Sequence, residues 1–365
     1  MTPNPLVSIV IPVYNQEKYL DAAYSCLKAQ SYTHLEFVCV NDGSTDKSAE
    51  MLHSYSNQDE RVKIIEKPNG GLVDATLTGI AAATGEYLCF LDPDDHYGPD
   101  YITFFLNLMT DDCDFVAAGI HTENNGVFSQ IPLREDRVYT AQELRQLSNV
   151  FFFDPEAPDA PSRFYNSRWN KFYRTELVRE IATEFSAFKH ITLGEDTVFT
   201  YLLLQKSRGG RTVKDCNSYY YNIGNMSSMT KRESIDRHFE KAKDAFDALK
   251  LLTERYGTDV SQAYALYENQ INFLFARLPK GTDGQFDAVH LRAERDPLYR
   301  KALSLRGENL FKLTVKSMLR RIKPLTACVR KLKRLLKPSS VPSSPSVETD
   351  TNCTEANSCK GDSHE

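Results

Sequence analysis

Three carboxylates lie within four residues in the segment Asp92-Pro93-Asp94-Asp95, directly after the apolar run YLCFL. Such groups repel one another and are costly to hold near an apolar core. Mg²⁺ or Mn²⁺ would relieve this cost, because these ions take oxygen ligands and bind one or two carboxylates together with substrate phosphates. No Lys or Arg stands near the cluster in the sequence, which favours a metal site. The alternative is that Asp92 or Asp95 caps a helix that begins near residue 99.

A second polar cluster, NDGSTD at residues 41–46, follows another apolar run, and Tyr14-Asn15 follow a third. A carboxylate at a strand end, such as Asp42, can accept a hydrogen bond from a nucleobase imide, and Tyr14 can stack on a base. The more common roles of Asp42 and Asp46 are a turn residue and a helix cap, and that of Tyr14 is packing. No GxGxxG or GxxxxGK[ST] loop is present, which argues against a dinucleotide or P-loop site.

A third acidic pair, Glu195-Asp196, begins the apolar segment EDTVFTYLLL, which predicts a helix. Acids in a first turn are stabilised by the helix dipole, so capping is one interpretation. The other is a general base at the rim of an active site. Trp169, the single tryptophan, is by itself typical of a core or interface residue.

Short apolar runs alternate with helical segments through the first 120 residues, which predicts βαβ units. The fold class is therefore α/β, with a mostly parallel sheet covered by helices on both faces. Ligands of such sheets bind at the carboxyl ends of the strands, so the polar clusters after three strands are expected to converge on one rim. The predicted strands are 7–13, 35–41, 62–66, 87–91 and 114–118.

The remainder of the chain is less regular. Residues 120–165 predict a loop-dominated insertion with a short helix near 140–148. Residues 233 to about 278 predict continuous helix, whereas 280–300 are polar and interrupted by proline. The tail at 338–365 is rich in Ser, Pro and Thr and predicts disorder, because it cannot bury enough apolar surface to offset the ordering entropy.

Length and composition exclude several classes of protein. At 365 residues, with 41% apolar and 25% charged residues, the chain predicts two or three globular units. We found neither an apolar run long enough to span a membrane nor a signal-peptide pattern, so we expect a cytoplasmic protein. The net charge of −5 combines −11 in residues 1–308, ten Lys/Arg and no acid in residues 309–337, and −4 in residues 338–365. An acidic body argues against nucleic acid as a partner.

The basic segment at 306–337 contains LFKLTVKSMLRRIKPLTACVRKLKRLLK at residues 310–337. Its apolar positions recur at spacings of three and four, which predicts an amphipathic helix that is kinked or split at Pro324. Packing on the catalytic domain and a coiled coil are alternatives, but a self-pairing would set cation against cation. We therefore expect reversible binding to anionic lipid at the inner face of the cell membrane.

Five segments together resemble the family 2 glycosyltransferases of the GT-A fold, and the likeness spans about residues 7–230. The resemblance implies an inverting, metal-dependent transferase of the hexosyl- or N-acetylhexosaminyltransferase class. It also implies a catalytic domain at 1–230 and a helical region at 231–305. The segments are VSIVIPVYN (7–15), LEFVCVNDGSTDKS (35–48), KPNGGLVDATLTGIAAATGEYLCFLDPDD (67–95), RWNKFYR (168–174) and LGEDTVF (193–199).

The resemblance also implies roles for individual residues. Asp92 and Asp94 are similar to the DxD pair, the second of which binds Mn²⁺ or Mg²⁺ with the diphosphate. Asp196, next to Glu195, resembles the catalytic base, which removes the proton of the acceptor hydroxyl as its oxygen attacks C1. The residues expected to hold the nucleotide are Pro12, Tyr14, Asn15, Asp42, Gly70 and Asp92. Those expected in the acceptor region are Trp169, Asn170 and Lys171.

One departure from the family pattern concerns the helix after NGGL, where Thr76 and Leu77 replace a common Arg-Asn pair. The leading prediction is a transferase that uses a nucleotide sugar, usually UDP-linked, and a saccharide or lipid-linked acceptor in surface polysaccharide or glycolipid synthesis. The alternative is a nucleotide-sugar binding module without catalysis. A sugar-phosphate nucleotidyltransferase is disfavoured, because the segment VIPVYNQ is not a glycine-rich, basic phosphate loop.

Overall fold

The strands and helices follow one another in the βα order predicted for the first half of the chain. The computed structural model describes residues 4–124, 126–152, 165–214, 219–223, 234–277 and 283–306. The strands are β1 (Val7–Val13), β2 (Leu35–Asp42), β3 (Val62–Lys67), β4 (Tyr87–Phe90), β5 (His96–Tyr97), β6 (Phe115–Ala118), β7 (Ile120–Asn124), β8 (Val127–Ile131), β9 (Arg137–Thr140), β10 (Lys171–Arg174), β11 (Gly209–Val213) and β12 (Tyr219–Asn222). The helices are α1 (Leu20–Lys28), α2 (Ser48–Ser56), α3 (Leu72–Ala82), α4 (Tyr101–Leu106), α5 (Ala141–Leu147), α6 (Thr175–Phe185), α7 (Glu195–Lys206), α8 (Ile235–Tyr256), α9 (Ser261–Arg277), α10 (Asp283–Arg295) and α11 (Pro297–Arg306).

The main sheet has the strand order β3-β2-β1-β4-β10-β6-β11-β9. Strands β3, β2, β1 and β4 are mutually parallel, and every residue of β1 and β2 is buried. This burial on both faces explains the continuous apolar runs from which a parallel sheet was predicted. The five predicted strands are confirmed, but β6 does not pair with β4. The antiparallel strand β10 lies between them.

A second sheet has the order β5-β12-β7-β8. It corrects the prediction that residues 120–165 are dominated by loops, since β7, β8 and β9 all begin in that interval. All five residues of β8 are exposed, so the strand is held by pairing with β7 and leaves no pattern of alternating burial in the sequence. The predicted helix near 140–148 is confirmed as α5, which starts with a capping box between Thr140 and Glu143.

The predicted continuous helix from 233 to about 278 is two helices. Gly257 ends α8 with a φ of 66°, a left-handed conformation that glycine adopts at little cost. The polar segment at 280–300 forms α10 and α11, and Pro297 occupies the first position of α11, where a helix tolerates proline. The predicted domain boundaries at 230 and 305 stay predictions.

The basic segment predicted at 306–337 and the tail predicted at 338–365 lie outside the described residues, apart from Arg306. Within the part of the chain that the structure describes, no helix combines the length and apolar character needed to cross a bilayer.

Candidate active site

The loops after β1 and β2 contact each other at the carboxyl edge of the sheet. Asn15 has a φ of 54°, and its side-chain oxygen accepts a hydrogen bond from the Thr45 backbone N–H at 2.8 Å. Its own N–H donates to Ser44 Oγ at 3.1 Å. Asparagine is among the residues that tolerate this left-handed conformation, so Asn15 joins the two loops. Tyr14, beside it, is 45% exposed and therefore available to a ligand at this edge.

Pro12 is buried in β1, at a position where a missing N–H is tolerated. The carbonyl of Val10 accepts a hydrogen bond from Leu91 N, so Val10 and, two residues later, Pro12 turn their backbone groups toward β4. The paired register of β1 with β4 ends at Val10 and Phe90. Pro12 lies beyond the last paired residue of β4, so its missing N–H removes no hydrogen bond between the two strands.

Asp42, the last residue of β2, is buried and held by a turn. Its carboxylate accepts hydrogen bonds from the N–H groups of Gly70 at 2.9 Å and Gly71 at 2.8 Å, and it forms an ion pair with Lys67. A Cβ at Gly70 would lie 2.4 Å from Asp74 Oδ2, so a larger residue there would displace the Asp74 side chain. A carboxylate has about four lone-pair sites, and these three contacts leave room for one further donor.

Asp46 has a structural role at the start of a helix, as in the more common interpretation of such a residue. Its two carboxylate oxygens accept hydrogen bonds from Ser48 N at 2.9 Å and Glu17 N at 3.1 Å. These contacts fix the start of α2 against the loop after β1.

The three carboxylates after β4 divide into two kinds. Asp95 is buried and accepts hydrogen bonds from Tyr219 Oη at 2.6 Å and Asn222 N at 2.8 Å, so it anchors β12. Asp92 and Asp94 are partly exposed. The alternative of a helix cap is wrong, because Asp100 occupies the N-cap position of α4.

A base does accompany the acidic cluster, contrary to the expectation from the sequence. Arg168, only 1% exposed, donates from Nη1 to Asp196 Oδ1 at 2.8 Å. Burial raises the pKa of Asp92 to about 7, the positive charge of Arg168 opposes this, and the nearby carboxylates of Asp94, Asp196 and Glu195 add to it. The structure thus brings the acids of two predicted clusters into one electrostatic group.

Glu195 and Asp196 form the start of α7. The N-cap residue is Gly194, which has a φ of 82°, so neither acid is the cap. The side chain of Asp196 is 25% exposed. Burial raises the pKa of Glu195 to about 7, and the charge of Asp196 contributes in the same direction. Of the two acids, Asp196 is the one to which Arg168 donates its hydrogen bond.

The three residues predicted for the acceptor region occupy different environments. Trp169 is 8% exposed and stacks on Tyr219 and Tyr221, with ring centroids 4.4 and 5.1 Å apart. Asn170 is buried and donates to the carbonyl of Ala118 at 2.8 Å. Lys171 is buried as well, and its ammonium group donates to backbone and amide oxygens of the loop at 165–170. Asn170 and Lys171 thus shape the loop that holds Trp169.

Of the two positions that depart from the family pattern, Thr76 is buried and Leu77 is partly buried. Thr76 is fully buried and donates to the carbonyl of Leu72 at 2.7 Å, and Leu77 packs on the core. Neither side chain offers a charge to a phosphate. The nearby cations are Lys67 and Lys189, which both pair with Asp74.

A divalent cation is compatible with Asp92 and Asp94. Both supply oxygen atoms, the donors that Mg²⁺ and Mn²⁺ prefer, and both are partly exposed. Among the described residues, no group of three or more His, Cys, Asp or Glu side chains could hold a metal ion. The remaining ligands would therefore come from substrate phosphates and water, as is usual for Mg²⁺.

Sequence reasoning missed Arg168, Lys67 and Tyr219, which support the predicted acids. Arg168 was visible only as the residue before Trp169, and its partner Asp196 lies 28 positions away. Tyr219 is one of three consecutive tyrosines in the sequence, and its partner Asp95 lies 124 positions away. Such long separations leave no local pattern that could have identified the pairs.

Comparison with known proteins gives consistent matches. The model of glycosyl transferase family 2 matches residues 8–182. The uncharacterized glycosyltransferase EpsJ of Bacillus subtilis is 30% identical over 257 residues, 66% of this chain and 70% of the relative. Chondroitin synthase of Pasteurella multocida is 36% identical over 123 residues, 34% of this chain but only 12% of that protein. The crystal structure of Staphylococcus aureus TarS 1–349 in complex with UDP matches with a TM-score of 0.50 and 19% identity, over 76% of this chain and 73% of that one.

Proposed function

The chain belongs to glycosyl transferase family 2, and on that premise we propose that it is an inverting enzyme that transfers a sugar from a UDP-sugar to a saccharide or lipid-linked acceptor. One observation carries the proposal. The partly exposed pair Asp92 and Asp94 lies in the same electrostatic group as Asp196, a partly exposed carboxylate at the start of a helix. This supports a donor phosphate site and a general base that act on the same sugar.

In the proposed reaction Asp196 accepts the proton of the acceptor hydroxyl. The oxygen of that hydroxyl forms a bond to C1 of the sugar as the bond from C1 to the diphosphate breaks on the opposite face. The nucleoside diphosphate leaves with both electrons of that bond, and the configuration at C1 inverts. General-base assistance of this kind contributes about 10²–10⁴-fold to rate.

The donor nucleotide is proposed to bind at the edge formed by β1 and β2. Exposed Tyr14 would stack on the base, and Asp42 would accept a hydrogen bond from the imide N–H with its remaining lone pair. Pro12, Asn15 and Gly70 would shape this pocket. The structure of TarS, which has the same fold, contains UDP, in support of UDP as the nucleotide.

The metal is proposed to be Mn²⁺ or Mg²⁺ held by Asp94 and Asp92. The ion would neutralise negative charge on the diphosphate leaving group. Asp95 is not proposed as a ligand, because it is buried and its carboxylate already accepts hydrogen bonds from Tyr219 and Asn222.

The acceptor is proposed to approach past Trp169, and the product to belong to a surface polysaccharide or glycolipid. The match to chondroitin synthase, a protein named for a polysaccharide, supports this class of product. A lipid-linked acceptor would agree with the membrane binding expected of residues 310–337.

Turnover of a panel of UDP-sugars by the full-length protein tests the proposal. We expect release of UDP from at least one of UDP-glucose, UDP-galactose, UDP-GlcNAc and UDP-GalNAc in Mn²⁺ or Mg²⁺. Asp196→Asn should suppress that release, whereas Asp247→Asn, at an exposed ion pair with Lys243, should not. Binding of UDP with no turnover of any donor would favour the non-catalytic binding module instead.

A further inference from the structure

Arg168 is a charged side chain in an interior position, which is uncommon without a strong reason. It is 1% exposed, and it forms an ion pair with Asp196 at 2.8 Å. Its Nε has no hydrogen-bond partner among the residues that the structure describes. A buried N–H without a partner costs stability, so the arginine is not explained by stability alone.

The backbone around Arg168 is fixed by hydrogen bonds from the interior. Tyr173 Oη donates to the carbonyl of Arg168 at 2.7 Å, and Tyr101 Oη donates to the carbonyl of Trp169 at 3.1 Å. Lys171 Nζ donates to the carbonyl of Tyr165 at 2.6 Å and to Asn170 Oδ1 at 2.8 Å. The guanidinium group therefore projects from a rigid loop.

The position of the guanidinium relative to the acids is specific. It binds Oδ1 of Asp196, while Oδ2 makes no hydrogen bond within the described residues. Its positive charge also acts on Asp92 and on Glu195, where it opposes the effect of burial on the pKa of each. Lys171, the other buried cation of the loop, has its hydrogen bonds directed to loop oxygens instead.

We propose that Arg168 is a positioning residue for the transfer reaction. It holds Oδ1 of Asp196, leaves Oδ2 as the atom that takes the acceptor's proton, and offsets repulsion between Asp196 and the carboxylates of Asp92 and Glu195. Arginine suits this task because its planar group fixes a direction, which a lysine ammonium does not. The inference rests on the proposed function, because Arg168 is given its role by its contact with Asp196, the proposed general base.

A double-mutant cycle tests the assignment in the full-length protein. The variants are Arg168→Met, Arg168→Lys, Asp196→Asn and the double variant Arg168→Met with Asp196→Asn. For each we would measure kcat and donor KM for the UDP-sugar that the wild type turns over, the Kd for UDP, and the Tm. Misplacement of a reacting group by about 1 Å costs about 100-fold, so we expect Arg168→Met to lower kcat by about 10- to 100-fold.

The pattern across the cycle separates positioning from a general structural role. Donor KM and the Kd for UDP should change by less than about threefold, and Arg168→Lys should retain an intermediate kcat. In the Asp196→Asn background, Arg168→Met should have little further effect, because residues that act as a unit are not additive.

Arg208→Met is the matched control, since Arg208 pairs with the buried Asp114 at 2.6 Å just before β6 and β11, at the opposite ends of the strands. It should lower the Tm and leave kcat unchanged.

Unchanged kcat in Arg168→Met, independent losses in the double variant, or equal losses of kcat and UDP binding would each overturn the inference. If Arg168→Met does not fold, the same cycle with Arg168→Lys decides. A wild type that turns over no donor would contradict both the proposed function and this inference.

Discussion

Asp94 is the carboxylate whose loss should most directly affect metal binding. It is partly exposed, whereas Asp95 next to it is buried and accepts hydrogen bonds from Tyr219 and Asn222. We expect Asp94→Ala to weaken Mn²⁺-dependent binding of UDP by more than tenfold, measured by titration calorimetry with and without EDTA. Asp112→Ala, which changes an exposed aspartate, should leave the affinity unchanged.

Two results would contradict this metal assignment. One is full UDP affinity in the Asp94→Ala protein, and the other is undiminished turnover by the wild type in EDTA.

Asp196 and Glu195 can be separated by isosteric amides. Asp196→Asn keeps an oxygen that can accept from Arg168 but loses a proton acceptor, so transfer should fall by about 10²–10⁴-fold with donor binding retained. Glu195→Gln should be milder, because the hydrogen bond of Arg168 goes to Asp196 and burial raises the pKa of Glu195 to about 7. Initial rates and UDP affinity of both variants provide the measurement. If Glu195→Gln were the more damaging change, the assignment within the pair would be reversed.

Helix α7 depends on the left-handed conformation of Gly194. This glycine has a φ of 82°, and a Cβ there would lie 3.1 Å from Cβ of Ala245 in α8. An alanine at positive φ is destabilising, so we expect Gly194→Ala to lower the free energy of unfolding by at least about 1 kcal/mol. It should also reduce kcat, because the first turn of α7 carries Asp196. Denaturant unfolding and turnover measure the two effects.

Gly257→Ala is the control for the backbone effect alone. Gly257 has a φ of 66°, and a Cβ there would meet no atom within 4 Å. It should lose stability but retain kcat. Equal kcat in both alanine variants would show that the start of α7 tolerates displacement.

Glu36 links four parts of the molecule at the sheet edge opposite the candidate site. It is buried and accepts hydrogen bonds from Ser8, Lys63, Thr84 and Gly85. Burial tends to raise the pKa of Glu36, but the hydrogen bonds from Lys63, Ser8 and Thr84 lower it from 4.5 to about 2. A carboxyl whose pKa falls on folding stabilises the protein above its unfolded pKa, and that contribution is lost as the pH falls toward 2.

We therefore expect Glu36→Gln to cost up to about 3 kcal/mol of unfolding free energy at pH 7. The difference from wild type should shrink between pH 5 and pH 2, as followed by denaturant unfolding. Glu60→Gln, at an exposed position, should have no such effect. A difference that stayed constant with pH would mean that Glu36 acts by packing alone.

The charge of the whole chain is unevenly distributed, with a net positive charge concentrated in residues 309–337. Ten cations in one segment oppose a body with a net charge of −11 in residues 1–308. Each base near an anionic bilayer contributes about 1 kcal/mol, so the full chain should sediment with anionic liposomes at low salt and release at high salt. A chain that ends at Glu308 should stay in the supernatant. Equal behaviour of the two proteins would contradict this expectation.

The sequence alone determined the parallel strands and the positions of the acids. Strands β1 and β2 are buried on both faces, which requires continuous apolar runs. Such runs can be recognised from the local sequence alone. Because chain direction is shared in a parallel sheet, the polar residues after β1, β2 and β4 had to reach the same edge. The resemblance to a family of transferases added the roles of Asp94 and Asp196.

Only the tertiary structure decided which side chains support those acids. Strand β10 enters between β4 and β6, and exposed β8 forms by pairing with β7, so neither has a distinctive local pattern. The pairs of Arg168 with Asp196 and Tyr219 with Asp95 join distant segments. Local patterns record whether a residue is buried. The identity of its partner is set by how whole elements pack, and here that packing turned three similar aspartates into one anchor and two candidate ligands.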